Sequence, residues 1–160
     1  MDTARKVKDV MSREVETARP NMTVREAAET MKARNIGSLP VCEGDRLVGI
    51  LTDRDITVRV IAEGKGSSET RVADVMTRAR LHTVSEDAPL EEAERIMHDR
   101  QIRRLPVIGA EGARVGYLSQ AKVARVESPS RAGKVLQGIS RPEPPPPMES
   151  SARRSRRKTG

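Results

Sequence analysis

The sequence predicts an α/β (α+β) protein built from two β-α-β-β-α repeats related by a pseudo-twofold axis. Three short motifs recur in the same order, 65, 66 and 67 residues later. The pairs are "VKDVM" at Val7 and "VADVM" at Val72, "SLPV" at Ser38 and "RLPV" at Arg104, and "GILT" at Gly49 and "GYLS" at Gly116. Because loop insertions change such a spacing by single residues, the pattern indicates an internal duplication.

Each copy is predicted to open with a short extended segment, Glu14–Ala18 in the first and Arg80–Val84 in the second. An amphipathic helix follows, at Thr23–Asn35 and at Pro89–Gln101, where apolar residues recur at helical spacing. One copy of about 55 residues would struggle to bury its apolar face alone. We therefore expect the two copies to pack together around a shared core.

Cap and turn residues mark the expected ends of these elements. Thr23 and Glu26 have the spacing of a capping box, and Pro89 suits a first helical turn. The apolar runs "SLPVC" and "LVGILT" flank the turn "EGDR", which is typical of a hairpin. A second helix is expected to begin after Thr52 and to stop at Gly64, and its counterpart "QAKVARV" is shorter.

Domain boundaries follow from the repeat and from a change in composition. We assign residues 7–66 to the first repeat, 67–127 to the second, and 128–160 to a Pro-rich, basic tail that is mostly disordered. The segment "AGKVLQGI" within the tail is open to being a short ordered turn or helix. The segment Glu127–Gly160 holds eight Lys/Arg and three Glu, so it carries +5 of the total charge of +7.

Composition excludes several classes of function. The chain has no Trp, no Phe and one tyrosine, Tyr117, which argues against aromatic platforms for single-stranded nucleic acid. The lone cysteine, Cys42, excludes an intramolecular disulfide framework, and His82 and His98 have no partner at metal-ligand spacing. With no signal-like segment and no apolar run long enough to cross a bilayer, we expect a soluble, cytoplasmic protein and no membrane association.

The ordered set of motifs resembles a known family. Tandem units that each carry "VxDVM", "LPV", a Gly-containing turn and a "GILT"- or "GYLS"-type strand end look like a pair of cystathionine β-synthase (CBS) domains, or Bateman module. The chain is also similar to small stand-alone bacterial CBS-pair proteins. The resemblance implies a regulatory, non-catalytic module that binds an adenine nucleotide between the repeats. AMP, ADP, ATP, NAD-type molecules and S-adenosylmethionine are the ligand class, and homodimerisation is expected.

Thr52 and Asp55, in "GILTDRD", have two readings. From residue types alone they form a helix cap, with Thr52 at the N-cap and Asp55 three residues later. The resemblance implies that the same two residues bind the ribose hydroxyls of the ligand. Their counterparts are Ser119 and Lys122. Since an ammonium group cannot accept from ribose hydroxyls, we expect a weaker second site there, with Lys122 either near phosphate or simply solvated.

Arg103 and Arg104 precede the second "LPV" motif. They are either solvent-facing residues at a strand edge or, as the resemblance implies, ligands for phosphate, which guanidinium groups bind in a bidentate fashion. Ile36 and Ile102, at the equivalent turns, either sandwich an adenine ring or belong to the core. We therefore expect one site with ribose recognition from the first copy and phosphate recognition from the second.

Two other functions compete with nucleotide sensing. The cations of Arg153–Lys158 could hold nucleic acid non-specifically, or they could be a solvated tail. The repeats could also serve only as a ligand-free dimerisation module with an unknown downstream partner. No nucleophile–base arrangement and no phosphate-binding glycine loop is visible, so an enzyme is not expected.

Overall fold

The computed structural model describes residues 5–78 and 81–142 and confirms the mixed α/β architecture. The elements of the first repeat are a 3-10 turn at Val7–Asp9, α1 at Val24–Arg34, β1 at Ser38–Glu43, β2 at Arg46–Thr52, and α2 at Asp53–Ile56, which continues as a π-helical turn over Thr57–Ile61. Those of the second are α3 at Val72–Val75, β3 at Val84–Ser85, α4 at Leu90–Arg100, β4 at Arg104–Ile108, β5 at Arg114–Ser119, and α5 at Gln120–Val126. A last helix, α6, covers Pro129–Ile139.

Each repeat contains one antiparallel hairpin. Strands β1 and β2 form the first, and β4 and β5 form the second. The register shifts by one residue between Val41 and Cys42 in the first and between Val107 and Ile108 in the second. Strand β3 pairs in parallel with β4. The turn "EGDR" makes the first hairpin as the sequence predicts, because Gly44 adopts a φ of 59° that favours glycine.

The predicted opening strands are largely wrong. Glu14–Ala18 forms no strand and contributes a single parallel bridge, from Ala18 to Val41. In the second copy only Val84–Ser85 is a strand, and Arg80 lies outside the described residues. A strand needs a partner along its length, and here only the end of each segment reaches the neighbouring hairpin.

Helices α1 and α4 lie within one residue of their predicted ranges. Thr23 accepts from the Glu26 amide while Glu26 accepts from the Thr23 amide, so the capping box is present. Asn35 and Gln101 end the two helices in the left-handed conformation, at φ of 52° and 55°. Pro89 is the residue before α4, with ψ of 143°, and not part of the first turn as predicted.

Two matched substitutions in α1 test the capping box. Thr23→Ala removes the hydroxyl that accepts from the Glu26 amide at 3.2 Å, and we expect it to lower the free energy of unfolding by about 1 kcal/mol. Thr30→Ala, in the middle of the same helix, removes only a bond to the Glu26 carbonyl and should be neutral or slightly stabilising. Urea unfolding followed by circular dichroism measures both, and equal losses would contradict the capping role.

Each of the two "VxDVM" segments packs into the hydrophobic core of the other repeat, and we call them the exchanged segments. Val7, Val10 and Met11 belong to the hydrophobic core of the second repeat, whereas Val72 and Val75 belong to the core of the first. Thus the amino-terminal segment completes the second repeat and the linker segment completes the first. The predicted boundary between residues 66 and 67 separates the two copies along the chain. It does not separate the two hydrophobic cores, because each core contains residues from before and after the boundary.

Backbone hydrogen bonds hold the exchanged segments in place. Ser12 and Tyr117 exchange both amide–carbonyl bonds, at 2.8 and 2.9 Å, which adds the amino-terminal segment to β5. Thr77 and Ile50 do the same at 2.8 and 3.0 Å, which adds the linker segment to β2. The two arrangements are equivalent, as the predicted pseudo-twofold relation requires, and they tie the repeats into one unit.

The segment "AGKVLQGI", for which a turn and a helix were both open, is helical and forms most of α6. It lies against α4, with Val135 and Ile139 in the core of the second repeat. Residues 143–160, which include most of the segment predicted to be disordered and all of Arg153–Lys158, lie outside the described residues. Among the helices of the described ranges, none is both long and apolar enough to cross a membrane.

Candidate functional site

A cleft of about 600 Å³ lies between the repeats. We call it the Ser119 cleft, after the helix-capping hydroxyl of the second copy. Three parts of the chain line it, namely the amino-terminal segment, the turn between α1 and β1, and the hairpin of the second repeat. The lining residues are Ser12, Glu14, Val15, Glu16, Arg34, Ile36, Ser38, Arg104, Tyr117 and Ser119.

The exchange of segments and the helix ends build this cleft. The amino-terminal segment lies beside β5 through the pairing of Ser12 with Tyr117, so residues 14–16 follow directly at the cleft wall. Asn35 ends α1 in a left-handed turn, after which Ile36 and Ser38 reach the same space. The cleft therefore depends on both repeats.

Hydroxyl groups and an apolar wall give the cleft a mixed surface. The Ser38 Oγ and the Tyr117 hydroxyl lie 3.5 Å apart, and both residues are buried. Burial raises the pKa of Tyr117, so its hydroxyl is neutral and can donate. Neither residue was predicted from the sequence to be part of the site. The signal for Ser38 is its repeat-equivalent, Arg104, which was predicted as a ligand.

Charged groups of both signs line the cleft. Arg34 and Glu16 form an ion pair at 2.6 Å, with both side chains partly exposed. Glu14 is exposed, and Arg104 is half-buried next to Ser119, its cross-strand neighbour. Within residues 5–78 and 81–142, neither Glu14 nor Arg104 has an ion-pair partner. Arg104 is therefore available to an anionic group of a ligand.

Thr52 and Asp55 do not line the Ser119 cleft. They form the full capping box, in which the Thr52 amide donates to Asp55 Oδ2 at 2.9 Å and the Asp55 amide donates to Thr52 Oγ1 at 3.1 Å. Asp55 Oδ1 also lies 3.6 Å from Arg59 Nη1. A carboxylate has about four lone-pair sites. The cap therefore leaves Asp55 with capacity to accept from a ligand.

Three of the other predicted site residues line the Ser119 cleft and three do not. Ile36, Arg104 and Ser119 meet in the cleft, while Ile102, Arg103 and Lys122 do not line it. Ile102 packs against the second core, and Arg103 is exposed. Ser119 Oγ accepts from the Lys122 amide at 3.3 Å, but this helix has no reciprocal carboxylate bond.

Each of these residues has an equivalent in the other copy. Ile36 and Ser119 are the equivalents of Ile102 and Thr52, and the described cleft is lined by the first two and not by the last two. The expected composite had ribose bound by Thr52 and Asp55 and phosphate bound by Arg103 and Arg104. Of these four residues, only Arg104 lines the described cleft. The backbone bonds from Asp53 to Gly37 and from Gln120 to Arg103, both 2.9 Å, show the same equivalence.

The acidic, histidine and cysteine side chains of the described residues are not arranged to bind a metal ion. Across the described ranges there is no cluster of three or more His, Cys, Asp or Glu side chains that could hold a metal ion. His98 Nδ1 instead lies 2.8 Å from Asp99 Oδ1. The cleft offers hydroxyls, guanidinium groups, carboxylates and an apolar wall, which are features of a binding site for a small polar molecule.

The fold and the cleft define a paired-repeat protein with a ligand-sized space between its repeats. The chain belongs to the CBS domain family, whose family model matches residues 7–61 and 72–128. Among curated relatives, it is 40% identical to the CBS domain-containing protein YhcV of Bacillus subtilis, over 84% of this chain and 94% of that protein.

Solved structures with the same fold include two in complex with adenosine compounds. The CBS domain pair of MJ0100, in complex with 5′-methylthioadenosine and S-adenosyl-L-methionine, has a TM-score of 0.66 and 31% identity, covering 78% of this chain and 96% of that one. CBSX2 in complex with AMP has a TM-score of 0.65 and 28% identity, covering 75% and 93%. Hypoxic Response Protein I with two coordinated zinc ions has a TM-score of 0.70 and 32% identity, covering 78% and 100%.

Proposed function

We propose that this protein is a regulatory module that binds an adenine-containing small molecule in the Ser119 cleft, without catalysing a reaction. The observation that carries the proposal is the meeting of Ile36, Arg104 and Ser119 in one cleft of about 600 Å³. That volume lies within the range of small-molecule sites. The complexes of CBSX2 with AMP and of MJ0100 with methylthioadenosine and S-adenosylmethionine support the ligand class.

The lining residues match the parts of an adenosine ligand. Ile36 offers an apolar wall for the base, and the hydroxyls of Ser38, Tyr117 and Ser119 can bond the sugar or the base edge. Arg104 can donate a forked pair of hydrogen bonds to a single phosphate or carboxylate. Binding between the repeats would shift their relative arrangement only if the ligand has different affinities for two arrangements.

A second adenosine site around Thr52 and Asp55 remains part of the proposal. There the Asp55 carboxylate would accept from the ribose hydroxyls, Ile102 would contact the base, and Arg103 would contact phosphate. Support comes from the repeat relation, which makes Thr52 and Ile102 the equivalents of Ser119 and Ile36. Lys122 replaces the carboxylate beside Ser119, so we expect different ribose contacts in the two places.

We also propose a cytoplasmic homodimer. The free, buried Cys42 is typical of a reducing compartment. Val58 and Ile61, on the helix that follows Thr52, are 49% and 63% exposed, which is unusual for large apolar side chains so close together. Contact between two copies through this helix would bury them.

Calorimetric titration of the full chain with AMP tests the proposal. Arg104→Ala should weaken AMP binding roughly tenfold or more, because it removes a charge-assisted hydrogen bond to phosphate. Arg95→Ala is the matched control, since this exposed guanidinium group lies on α4 and does not line the Ser119 cleft. Equal losses in both variants would contradict the placement, and an absence of AMP, methylthioadenosine and S-adenosylmethionine binding at millimolar concentration would overturn the function.

The same titration can address the second site. Asp55→Asn keeps an oxygen that can cap the Thr52 amide but removes the charge. Under the proposal, it reduces the number of bound AMP molecules, or weakens one class of site, while the Ser119 cleft keeps its affinity. An unchanged titration would limit Asp55 to its capping role.

A further inference from the structure

We propose that the Ser119 cleft selects adenosine ligands with at most one anionic group and discriminates against nucleoside di- and triphosphates. Glu14 and Glu16 would be the residues that set this specificity. The inference rests on the proposed function and adds to it the charge class of the ligand.

The balance of charges in the cleft is the first argument. Its lining contains two carboxylates, Glu14 and Glu16, and two guanidinium groups, Arg34 and Arg104. These cancel, whereas sites for polyphosphates carry an excess of cations to neutralise the phosphate charge. The cleft therefore lacks the net positive charge that a di- or triphosphate needs.

An ion pair within the cleft further limits the number of anionic groups that a ligand can place there. The Glu16 carboxylate lies 2.6 Å from Arg34 Nη2, so this guanidinium group already has an anionic partner. Arg104 is the remaining cation of the lining, and it can serve one phosphate or one carboxylate. AMP, with one phosphate, and S-adenosylmethionine, with one carboxylate and two cationic groups, both meet this condition.

Repulsion between the carboxylates of the cleft and the additional phosphates would discriminate against nucleoside di- and triphosphates. A second and third phosphate would extend from Arg104 across a cleft that also holds Glu14 and Glu16. Like charges a few ångströms apart at a partly exposed site repel measurably, and salt screens this repulsion. Discrimination of this kind, by an unfavourable contact with the wrong ligand, is a common source of specificity.

The acidic pair is a property of the first copy and not of the repeat. The matching segments "EVETA" and "RLHTV" place Arg80 and His82 in sequence where the first copy has Glu14 and Glu16. Duplication alone therefore does not account for carboxylates at these positions. Both glutamates are at least partly exposed, so their substitution should leave the core intact.

The test compares AMP and ATP binding to the full chain by calorimetry at low ionic strength. Glu14→Gln with Glu16→Gln changes the lining from neutral to doubly positive. We expect ATP affinity to rise about tenfold and AMP affinity to change much less, so the preference for AMP shrinks. Glu111→Gln, at an exposed glutamate of the second hairpin turn outside the cleft lining, is the matched control.

The outcomes separate this inference from the proposed function. If AMP binds the wild-type chain, but ATP binds the double variant and the Glu111→Gln control with the same affinity, the charge selection is overturned and the nucleotide site stands. If AMP, methylthioadenosine and S-adenosylmethionine all fail to bind the wild-type chain, the proposed function fails and this inference fails with it. Added salt should weaken the effect of the double substitution, and an effect that is independent of salt would also contradict the electrostatic cause.

Discussion

Gly116→Ala is expected to lower the free energy of unfolding by about 2–3 kcal/mol, because overpacking of a buried position is costly. A Cβ atom at this position would lie 2.6 Å from Met11 Sδ and 2.8 Å from the Ser12 carbonyl oxygen. The methionine side chain can move, but the Ser12 carbonyl belongs to the exchanged segment and is fixed by its bond from the Tyr117 amide at 2.9 Å. Relief of the contact therefore requires the segment to shift away from β5.

The equivalent glycine of the first repeat provides a graded comparison. At Gly49 the nearest atom would be Met76 Sδ, at 2.5 Å, while the nearest backbone atom, the Thr77 oxygen, is 3.2 Å away. Because a flexible side chain can yield more easily than backbone, Gly49→Ala should cost about 1 kcal/mol, at the lower end of the range for overpacking. We therefore expect Gly116→Ala to lose more unfolding free energy than Gly49→Ala. This order tests the described contacts between each glycine and the exchanged segment beside it.

Gly133→Ala is the control for these glycine substitutions. Gly133 lies inside α6, and a Cβ atom there would meet nothing within 4 Å. Alanine is favoured over glycine in a helix, so we expect a gain of about 0.5–1 kcal/mol. Urea unfolding monitored by circular dichroism measures all three variants. A Gly116→Ala protein as stable as the wild type would show that the amino-terminal segment is not held against β5 as described.

Arg131→Met is expected to cost about 2 kcal/mol at pH 7.5, because it leaves a buried carboxylate without its cation. Arg131, on α6, contacts Glu91 and Glu94 at 2.9 Å and Glu127 at 3.3 Å. The Glu94 side chain is only 9% exposed, and its Oε1 atom is buried with no hydrogen-bond partner in the described structure. Arg131 is 40% exposed, so we place the loss below the full cost of breaking a buried pair.

The pH dependence of this loss identifies its origin. Burial is the main cause that raises the pKa of Glu94 above 4.5, and the nearby Glu127 carboxylate adds to it, while Arg131 lowers it. Since the folded state then binds a proton more tightly than the unfolded state, the contribution of Glu94 is favourable at low pH. This stabilising contribution is lost as the pH rises from about 4.5 through the raised pKa of Glu94.

Loss of the Arg131 guanidinium group raises the pKa of Glu94 further. The Arg131→Met penalty should therefore be small near pH 4.5 and largest above pH 7. Glu94→Gln combined with Arg131→Met should recover part of the stability at pH 7.5, since no buried charge remains. Denaturant unfolding across this pH range measures both variants, and a penalty independent of pH would exclude Glu94 as its cause.

The sequence was most informative where local chemistry fixes structure. Helix α1 begins after Thr23 and ends before Asn35 because a capping box and a left-handed asparagine act within a few residues of the chain. The hairpins followed from "LPV", a glycine turn and "GILT" for the same reason. The opening strands were wrong because their pairing depends on how far a distant hairpin extends.

The candidate site was predictable only in part. Ile36, Arg104 and Ser119 were identified from the motifs and do meet in one cleft. Ser38 and Tyr117 were missed, since a small hydroxyl and a lone aromatic carry no motif of their own. The grouping of Thr52 and Asp55 with Arg104 did not match the cleft. The capping hydroxyl that lines the cleft with Arg104 is that of Ser119, its cross-strand neighbour.

The sequence by itself determined the duplication, helices α1 and α4, the hairpins, the caps around Thr52 and Ser119, and the family resemblance. All of these depend on residues close together in one copy or on the comparison of two copies. Only the tertiary structure decided that the "VxDVM" segments exchange cores, that α6 is held to α4 by Arg131, and that Glu14 and Glu16 line the cleft. Those features come from packing between segments far apart in the chain, and no local pattern encodes which distant surface a segment will cover.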